Sequence, residues 1–288
     1  MSLTNLRIVL VRPKHSGNIG AVARAMRNLG IRDLALVNPA QLCRESAETM
    51  AVHARDLLDT MQVHTSLRAA VADCGVVVGT TCRPGLYRDG ALTPRALAPQ
   101  LVAAAAVNRV ALVFGPEDSG LFNDDLQLCH RLMIIPTDPT YASLNVAQAV
   151  LLCCYEVFLA AQDGEAVKSS RPLAVAERQE LMYEKLQGAL LKIGFLHSDN
   201  PAHIMFALRR MLGRAGLEER DVQILLGLAR QIDWYAGNEN SKLIGTPRGK
   251  PASRVWPRSS TSATPCKRAV ASASSNTSTA VSRSLKRV

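Results

Sequence analysis

The chain has 288 residues, of which 48% are hydrophobic, so it is long and apolar enough to bury the core of one large domain or two smaller ones. No apolar run reaches the ~18 residues that a membrane span requires, and the first residues lack the basic stretch and cleavage site of a signal peptide. The seven cysteines include no C-x-x-C pair, which argues against a zinc knuckle or a disulfide framework. We therefore expect a soluble, cytoplasmic protein without a metal site or a membrane contact.

The formal net charge of +10 belongs almost entirely to one end of the chain. Residues 239–288 hold ten Lys and Arg and one acidic residue, whereas residues 1–238 hold 24 basic and 23 acidic residues. The terminal stretch is rich in Ser, Thr, Ala and Pro and lacks apolar periodicity, so we predict a disordered basic tail over 239–288. Such a tail either adds non-specific affinity for phosphates or has no role, and the sequence leaves both open.

Apolar runs of strand length alternate with helical patterns through the first half of the chain. The strands are predicted at 7–11, 34–37, 76–80, 110–114 and 133–135, and the helices at 21–29, 44–61, 66–74, 94–107, 123–130 and 144–161. This alternation, with apolar runs such as ALVF and VVV that do not alternate with polar residues, is typical of a parallel sheet covered by helices on both faces. Residues 1–161 are therefore predicted to form one α/β domain.

The second half of the chain is predicted to be helical. Residues 162–173 are rich in turn-forming and charged residues and are predicted to be a linker. Amphipathic patterns follow at 175–193, 201–212 and 217–235, within a predicted α-helical extension over 174–238. Because this extension is too short for a deep core of its own, we expect it to pack on the first domain or on another subunit.

Three segments of the first domain combine a strand, a turn marked by Gly or Pro, and a helix. They are 6–20 (LRIVLVRPKHSGNIG), 109–120 (RVALVFGPEDSG) and 132–145 (LMIIPTDPTYASLN). The carboxyl ends of parallel strands share one edge of the sheet, and open α/β folds bind their ligands at that edge. The three turns are therefore predicted to form one site.

The first turn contains residue types that suit a phosphate-bearing substrate. Gly17 and Gly20 permit a close approach of the backbone, and Asn18 can bond a ligand or cap the helix. Arg24 and Arg27 lie three residues apart on the following helix, where two guanidinium groups bind phosphate well. An ordinary turn followed by a solvated arginine pair has the same spacing, so both interpretations stay open.

The other two turns carry polar residues with equally open roles. Glu117 and Asp118 follow an apolar strand, where a carboxylate binds a ligand amine or hydroxyl or caps a helix. Ser143 and Asn145 lie at a predicted helix N-terminus, which capping alone explains. The dinucleotide-binding and P-loop fingerprints are both absent, and no cluster of His and carboxylates indicates a metal.

Three longer motifs add a resemblance to a known family. In order and spacing, NIGAVARAM, LVFGPEDSGL and YASLNVAQAV resemble the motifs of the SpoU-type branch of the SPOUT RNA methyltransferases, over about residues 4–161. The later segment KIGFLHSDNPAHIMFALRRMLGRAGLEERDVQILLGLARQI is similar to the helical extension of a narrower group. That group is the bacterial tRNA 2′-O-ribose methyltransferases that act on cytidine or uridine 32 of the anticodon loop.

The resemblance implies a fold, a cofactor and partners. It implies an α/β parallel sheet with a C-terminal trefoil knot, S-adenosylmethionine (SAM) as the methyl donor, tRNA as the substrate, and a homodimer with the site near the subunit interface. The knot would hold SAM among Thr80, Thr81, Cys82, Gly115, Ile135, Ser143, Leu144 and Asn145. This chain departs from the family pattern at Cys82, where a small non-thiol residue is more familiar, and at 116–118, where basic residues can occur.

The same resemblance implies roles for individual side chains. Arg24 matches the catalytic arginine of the family. Because a guanidinium with a pKa above ~12 is a poor base, we expect Arg24 to orient the ribose 2′-hydroxyl and the adjacent phosphate, while a phosphate or a polarised contact accepts the proton. Asn18 would hold the ribose or orient Arg24, and Ser143 would support the substrate side. Arg27 and Glu117 are predicted to contact the substrate.

Three other functions stay open on the sequence alone. The chain could methylate a 2′-hydroxyl in another RNA, either ribosomal RNA or a different tRNA position. It could be a non-catalytic RNA-binding module with a residual cofactor pocket. The fold class alone would favour a nucleotide-dependent oxidoreductase.

RNA binding also requires a basic surface on a domain that is nearly neutral. The arginines that could form it are Arg24, Arg27, Arg83, Arg88, Arg209, Arg210 and Arg214. Of these, Arg209, Arg210 and Arg214 could equally form a solvated helix face.

Overall fold

The computed structural model describes residues 3–82, 90–163, 171–197 and 201–243, the last six of them by their backbone only. Within these residues, six strands form one sheet: β1 (Leu6–Val11), β2 (Asp33–Val37), β3 (Gln62–His64), β4 (Val76–Thr81), β5 (Val110–Phe114) and β6 (Arg131–Ile134). Their order is β3-β2-β1-β5-β4-β6, and every pair is parallel. The predicted parallel α/β sheet is confirmed, and the trefoil knot stays a prediction.

Ten helices occur in the same described ranges. They are α1 (Ser16–Asn28), α2 (Arg44–Ala51), α3 (Arg55–Thr60), α4 (Leu67–Val71), α5 (Pro94–Ala105), α6 (Asn123–Gln127), α7 (Val146–Gln162), α8 (Ala176–Lys192), α9 (Pro201–Ala215) and α10 (Glu219–Leu243). None of them is long and apolar enough to cross a membrane.

Three details of the predicted elements are wrong. The helix predicted at 21–29 begins at Ser16, so Gly17, Asn18 and Gly20 lie within α1 and not in the turn before it. The single helix predicted at 44–61 is two helices, because the chain turns at Val52, where φ is 55°, and this turn buries both Ala51 and Leu57 in one core. The sequence does not predict β3, a three-residue edge strand in which Gln62 and Val63 are exposed, because it has no apolar run.

Alternating side chains of the strands fill two cores on opposite faces of the sheet. Ile8 and Leu10 of β1 belong to the core beneath α1, α5 and α7, whereas Val9 and Val11 belong to the core beneath α4 and α6. Both faces of the sheet are therefore covered, which leaves the carboxyl edge of the strands as the place for a site.

The helical extension packs on the second of these cores, which confirms that it docks on the first domain. Phe206 and Ala176 are buried there, and the Ala176 N–H donates to the Cys74 carbonyl at 2.8 Å. The extension also has a small cluster of its own, in which Tyr183 and Val222 are buried. Helix α10 runs to Leu243, and the rest of the predicted tail lies outside the described residues.

Two of the three arginines on α9 are withdrawn from solvent, and one of them joins two helices of the extension. Arg209 forms an ion pair with Glu180 and stacks on the Tyr183 ring, with its guanidinium carbon 4.4 Å from the ring centroid. Arg210 is buried, whereas Arg214 is exposed. The prediction that Arg209 and Arg210 form a solvated face or an RNA surface is therefore wrong, because Arg209 is paired with Glu180 inside the extension and Arg210 is buried. Arg83 and Arg88 lie outside the described residues.

Candidate active site

The three predicted turns meet at the carboxyl edge of the sheet. Strand β1 lies beside β5, β5 beside β4, and β4 beside β6, so the turns after β1, β5 and β6 open on the same side. Asn18, at the start of α1 just after the first turn, donates its amide to Glu117 Oε1 of the second turn at 2.8 Å. Asn145 of the third turn donates its amide to Asn18 Oδ1 at 3.0 Å. These three side chains form a continuous polar chain, which we call the motif junction.

Asn145 combines the two roles that the sequence left open. Its Oδ1 accepts from the Ala147 N–H at 2.8 Å and so caps α7, and Gln148 completes the capping box. Its amide group is then free to reach Asn18. Helix capping therefore fixes the orientation in which Asn145 takes part in the motif junction.

Glu117 supplies a negative charge to the motif junction. Partial burial opposes ionisation, but hydrogen bonds from Asn18 and from the backbone N–H groups of Glu117, Lys14 and His15 outweigh it and lower the pKa of Glu117 below its ordinary value. The Lys14 N–H lies 3.1 Å from Glu117 Oε2. The carboxylate is therefore ionised at neutral pH.

A cavity of about 490 Å³ opens beside the motif junction. Its lining includes Glu117 and seven of the eight predicted cofactor residues: Thr80, Thr81, Cys82, Gly115, Ile135, Ser143 and Leu144. The eighth, Asn145, lines a more open neighbouring depression of about 600 Å³ together with Asn18, Lys14 and Cys43. The structure thus brings seven of the eight predicted cofactor residues together, and Asn18 of the second recess is hydrogen-bonded to Glu117 of the first.

The apolar wall of the cavity was not predicted as part of the site. Phe114, Leu121 and Val146 line it, and each also belongs to a hydrophobic core. In the sequence, an apolar residue at the end of a strand or the start of a helix predicts burial. The pattern is the same whether the residue packs against protein or against a ligand. The sequence therefore does not show that these three apolar residues line a cavity.

The loop after β5 has a shape that requires glycine. A Cβ atom added to Gly115 would lie 2.2 Å from the Gly120 carbonyl carbon and 2.3 Å from the Leu121 nitrogen. Gly120 has φ of +67°, a conformation that side chains disfavour. The loop therefore folds back on itself and forms one wall of the cavity.

The cavity fits SAM in size and chemistry. Its volume lies in the range of small-molecule sites, and its apolar wall suits a flat heterocycle. Glu117 and Asp118 place carboxylates on one side, where a sulfonium or ammonium cation is stabilised. The hydroxyl groups of Thr80 and Ser143 add hydrogen-bonding capacity, and Thr80 Oγ1 donates to the Val113 carbonyl at 3.0 Å.

Arg24 and Arg27 lie apart from this cavity. Arg24 is exposed on α1, six residues beyond Asn18 and so about 9 Å further along the helix axis. It forms no hydrogen bond or ion pair with any residue in the described part of the chain. Arg27 pairs with Asp56, with Nη1 and Oδ2 separated by 3.1 Å. The arrangement within one chain therefore does not bring the predicted catalytic arginine to the predicted cofactor residues.

Comparison with known proteins identifies the family. Residues 5–155 match the model of the SpoU rRNA methylase family. The chain belongs to the SpoU methylase family. Within this SpoU methylase, residues 177–242 match the C-terminal domain of the tRNA methyltransferase TrmJ.

Curated relatives and solved structures agree with this assignment. The chain is 40% identical over 236 residues to the tRNA (cytidine/uridine-2′-O-)-methyltransferase TrmJ of Salmonella typhimurium, covering 80% of this chain and 97% of the relative. Its match to TrmJ of Escherichia coli O1:K1 / APEC is also 40% identical, covering 80% and 96%. The structure of TrmJ from Z. mobilis ZM4 is similar, with a TM-score of 0.67, 32% identity, and coverage of 79% of this chain and 98% of that one. A probable methylase family protein from Haemophilus influenzae Rd KW20 has a TM-score of 0.54 and 32% identity, covering 82% and 99%.

These matches decide between the function classes left open by the sequence. The predicted SPOUT-type methyltransferase family is confirmed, and this SpoU methylase is a methyltransferase with the α/β fold of that family. The oxidoreductase that the fold class alone would favour is wrong. In the described residues, no group of three His, Cys, Asp or Glu side chains could hold a metal ion.

Proposed function

We propose that this enzyme transfers a methyl group from SAM to the ribose 2′-hydroxyl of cytidine or uridine 32 in the anticodon loop of tRNA. The observation that carries the proposal is the motif junction, in which Asn18, Glu117 and Asn145 join all three family motifs at the rim of a SAM-sized cavity. The TrmJ relatives support tRNA as the substrate through their names and through the shared C-terminal domain. Position 32 rests on the resemblance of the helical extension.

The residues of the cavity divide between holding SAM and presenting the acceptor. Thr80, Thr81, Cys82, Gly115, Ile135, Ser143, Leu144 and Asn145 would hold SAM, which when bound supplies an electrophilic methyl group on a sulfonium. Ser143 and Asn18 would present the ribose, which is supported by their positions in the lining of the cavity and of the neighbouring recess. Orientation of this kind removes much of the entropic barrier to an in-line attack.

The ribose oxygen must lose its proton as it gains the methyl carbon and the carbon–sulfur bond breaks. Arg24 orients the hydroxyl and the neighbouring phosphate, because a guanidinium stays protonated and stabilises developing negative charge. A phosphate oxygen or another polarised contact then takes the proton. Glu117 keeps Asn18 in place through the 2.8 Å hydrogen bond.

The proposed role of Arg24 requires a second copy of the chain. Arg24 is exposed and lies away from the cavity of its own chain, so a partner subunit must place a cavity near it. Helix α7 packs against α1 and exposes Leu151, Leu152 and Tyr155 on one face. An apolar face beside α1 supports a homodimer through these helices. A Leu152→Asp variant should then be monomeric in light scattering and inactive.

The experiment that tests the function is transfer of radiolabelled methyl from SAM to bulk tRNA, followed by mapping of the labelled nucleotide. Label at the ribose of nucleotide 32 that disappears in Arg24→Ala, with SAM affinity preserved, is the expected result. Activity of Arg24→Ala within about tenfold of wild type, or ~1.4 kcal/mol of barrier, would contradict the assigned role. Label at another ribose would keep the enzyme class and overturn position 32. Absence of label on tRNA, with label when the same assay is run on ribosomal RNA, would overturn tRNA as the substrate.

A further inference from the structure

We propose that the ring of Tyr141 stacks on the base of the nucleotide that is methylated, and that this contact lets the enzyme accept cytidine and uridine alike. The inference rests on the proposed function, because it names the side chain that contacts the base of the RNA substrate. It assigns a specificity-determining role to a residue outside the motif junction and outside the cavity lining.

Tyr141 is unusually exposed for its size. Its relative exposure is 80%, the highest among the large hydrophobic residues in the described ranges, ahead of Trp234 at 62%. It lies in the loop between β6 and α7, immediately before Ala142 and Ser143, both of which line the cavity. The ring is therefore exposed to solvent, on the residue that precedes two lining residues of the cavity in which the methyl donor is proposed to bind.

The loop holds this ring on a rigid turn. The Thr140 N–H donates to Asp138 Oδ1 at 2.7 Å, and the Tyr141 N–H donates to the Asp138 carbonyl at 3.0 Å. The hydrogen bonds from Thr140 lower the pKa of Asp138, so the carboxylate that organises the turn is ionised at neutral pH. Pro136 and Pro139 restrict the backbone further. A tyrosine with a fixed backbone and only two side-chain torsions loses little entropy when it binds a partner.

Stacking suits a site that must accept two pyrimidines. Sequence-specific RNA recognition takes place mostly in single-stranded loops, where unstacked bases lie on aromatic side chains. Cytidine and uridine differ in their hydrogen-bonding edges but present similar flat faces. A pocket that reads the edges would reject one of them strongly, whereas stacking tolerates both. The names of the TrmJ relatives include both nucleosides, which fits a contact to the shared face.

The test uses anticodon stem-loop RNA that carries cytidine, uridine or an abasic ribose at the mapped acceptor position. Binding to wild type, Tyr141→Ala and Tyr141→Phe is measured by fluorescence anisotropy, and methyl transfer is measured on the same RNAs. Tyr141→Ala should weaken binding of the cytidine and uridine RNAs equally, by about tenfold or more, and leave binding of the abasic RNA unchanged. Tyr141→Phe should bind all three RNAs like wild type.

Unchanged binding of the cytidine RNA by Tyr141→Ala would overturn the inference, and so would an equal loss with the abasic RNA. Trp234→Ala is the matched control, since Trp234 is an exposed aromatic on α10, and any effect of it should be independent of the acceptor base. If the effect of Trp234→Ala vanished with the abasic RNA, the base would stack on Trp234, and the inference about Tyr141 would be overturned. Failure of wild type to methylate any of these RNAs would contradict the proposed function itself. Methylation by wild type and Tyr141→Ala with equal KM would contradict only the role of Tyr141.

Discussion

The Asn18 amide donates to Glu117 Oε1 at 2.8 Å and so joins two motifs that are 99 positions apart in the sequence. The bond has a charged acceptor, which makes it stronger than a bond between neutral groups. Because Asn18 also accepts from Asn145, its side chain is the central member of the motif junction. Loss of this one side chain therefore disconnects all three motifs.

We expect Asn18→Ala to lower kcat/KM for methyl transfer by about 100-fold, since two hydrogen bonds of roughly 1–3 kcal/mol each are lost at once. Affinity for SAM should fall much less, because Asn18 does not line the cavity. Steady-state kinetics and calorimetric titration with SAM measure the two quantities. Thr49→Ala is the control, since its exposed hydroxyl bonds only the Glu45 carbonyl on the same helix, and it should stay within twofold of wild type. Activity of Asn18→Ala within threefold of wild type would show that the junction is structural only.

Gly115→Ala should destabilise the protein and abolish SAM binding. The added Cβ would lie within 2.3 Å of backbone atoms of Gly120 and Leu121, and backbone cannot move aside without reshaping the cavity wall. We expect the free energy of unfolding to fall by more than about 2 kcal/mol, as for other severe steric changes. Urea denaturation and SAM titration check both effects.

The control for this substitution is Gly188→Ala on α8. In the described part of the chain, no atom lies within 4 Å of a Cβ built at Gly188. In the interior of a helix, alanine is more stable than glycine by about 0.5–1 kcal/mol. Gly188→Ala should therefore raise the free energy of unfolding slightly and leave methyl transfer unchanged. Equal behaviour of the two alanine variants would mean that the loop after β5 adapts to a side chain.

Residues 7–11 and 110–114 show how much of the fold the sequence predicts. Apart from Arg7, which is buried in ion pairs with Asp33 and Asp73, both are apolar runs, and both become central strands, because a strand covered on two faces buries most of its side chains. The edge strand β3 is mostly exposed and needs no apolar run, so the sequence contains no pattern that predicts it. The family motifs name eight cofactor residues, of which the structure gathers seven around one cavity.

The contacts between distant residues are what the sequence does not predict. Arg209 and Glu180 form a buried pair across two helices, yet each is an ordinary charged residue in its own amphipathic pattern. The same holds for Arg24, whose distance from the cavity depends on where α1 lies relative to the sheet. Tertiary placement decides these cases, and local periodicity carries no information about it.

His130 should make the protein less stable in mild acid. Burial first, and then the charges of Arg209 and Arg131, lower the pKa of His130 to about 4, and its Nδ1 accepts from the Val77 N–H at 3.2 Å. Between pH 6.5 and about 4 the unfolded chain therefore binds a proton that the folded chain does not. The free energy of unfolding should fall across this window as the pH is lowered, by up to about 3 kcal/mol.

His130→Asn separates this effect from general acid denaturation. Asparagine offers a carbonyl oxygen to the Val77 N–H but does not titrate. In urea denaturation at pH 7, 6 and 5, the variant should lose less stability than wild type between the first and last condition. Parallel losses in the two proteins would show that His130 does not control the pH dependence.

An ion pair of Arg12 with Asp125 connects the turn after β1 to α6. Loss of Arg12 should therefore make the first motif more mobile. Its guanidinium pairs with the buried Asp125 and lies 4.6 Å from the centroid of the Phe122 ring. Removal of Arg12 leaves the Asp125 carboxylate without its cation. We expect Arg12→Ala to lower the free energy of unfolding by about 2 kcal/mol. This is less than for a fully buried pair, because Arg12 is partly exposed. Lys14→Ala, which breaks the exposed pair with Asp118, should cost no more than about 0.5 kcal/mol.

A double-mutant cycle with Asp125→Asn tests whether this ion pair is the cause. If the ion pair carries the loss, Arg12→Ala should be much less destabilising in the Asp125→Asn background, where no buried charge remains to be compensated. Methyl transfer by Arg12→Ala should fall through a higher KM for tRNA, since the turn that precedes Asn18 becomes mobile while the cavity lining is unchanged. An equal cost of Arg12→Ala in both backgrounds would assign its effect to the stacking on Phe122 instead.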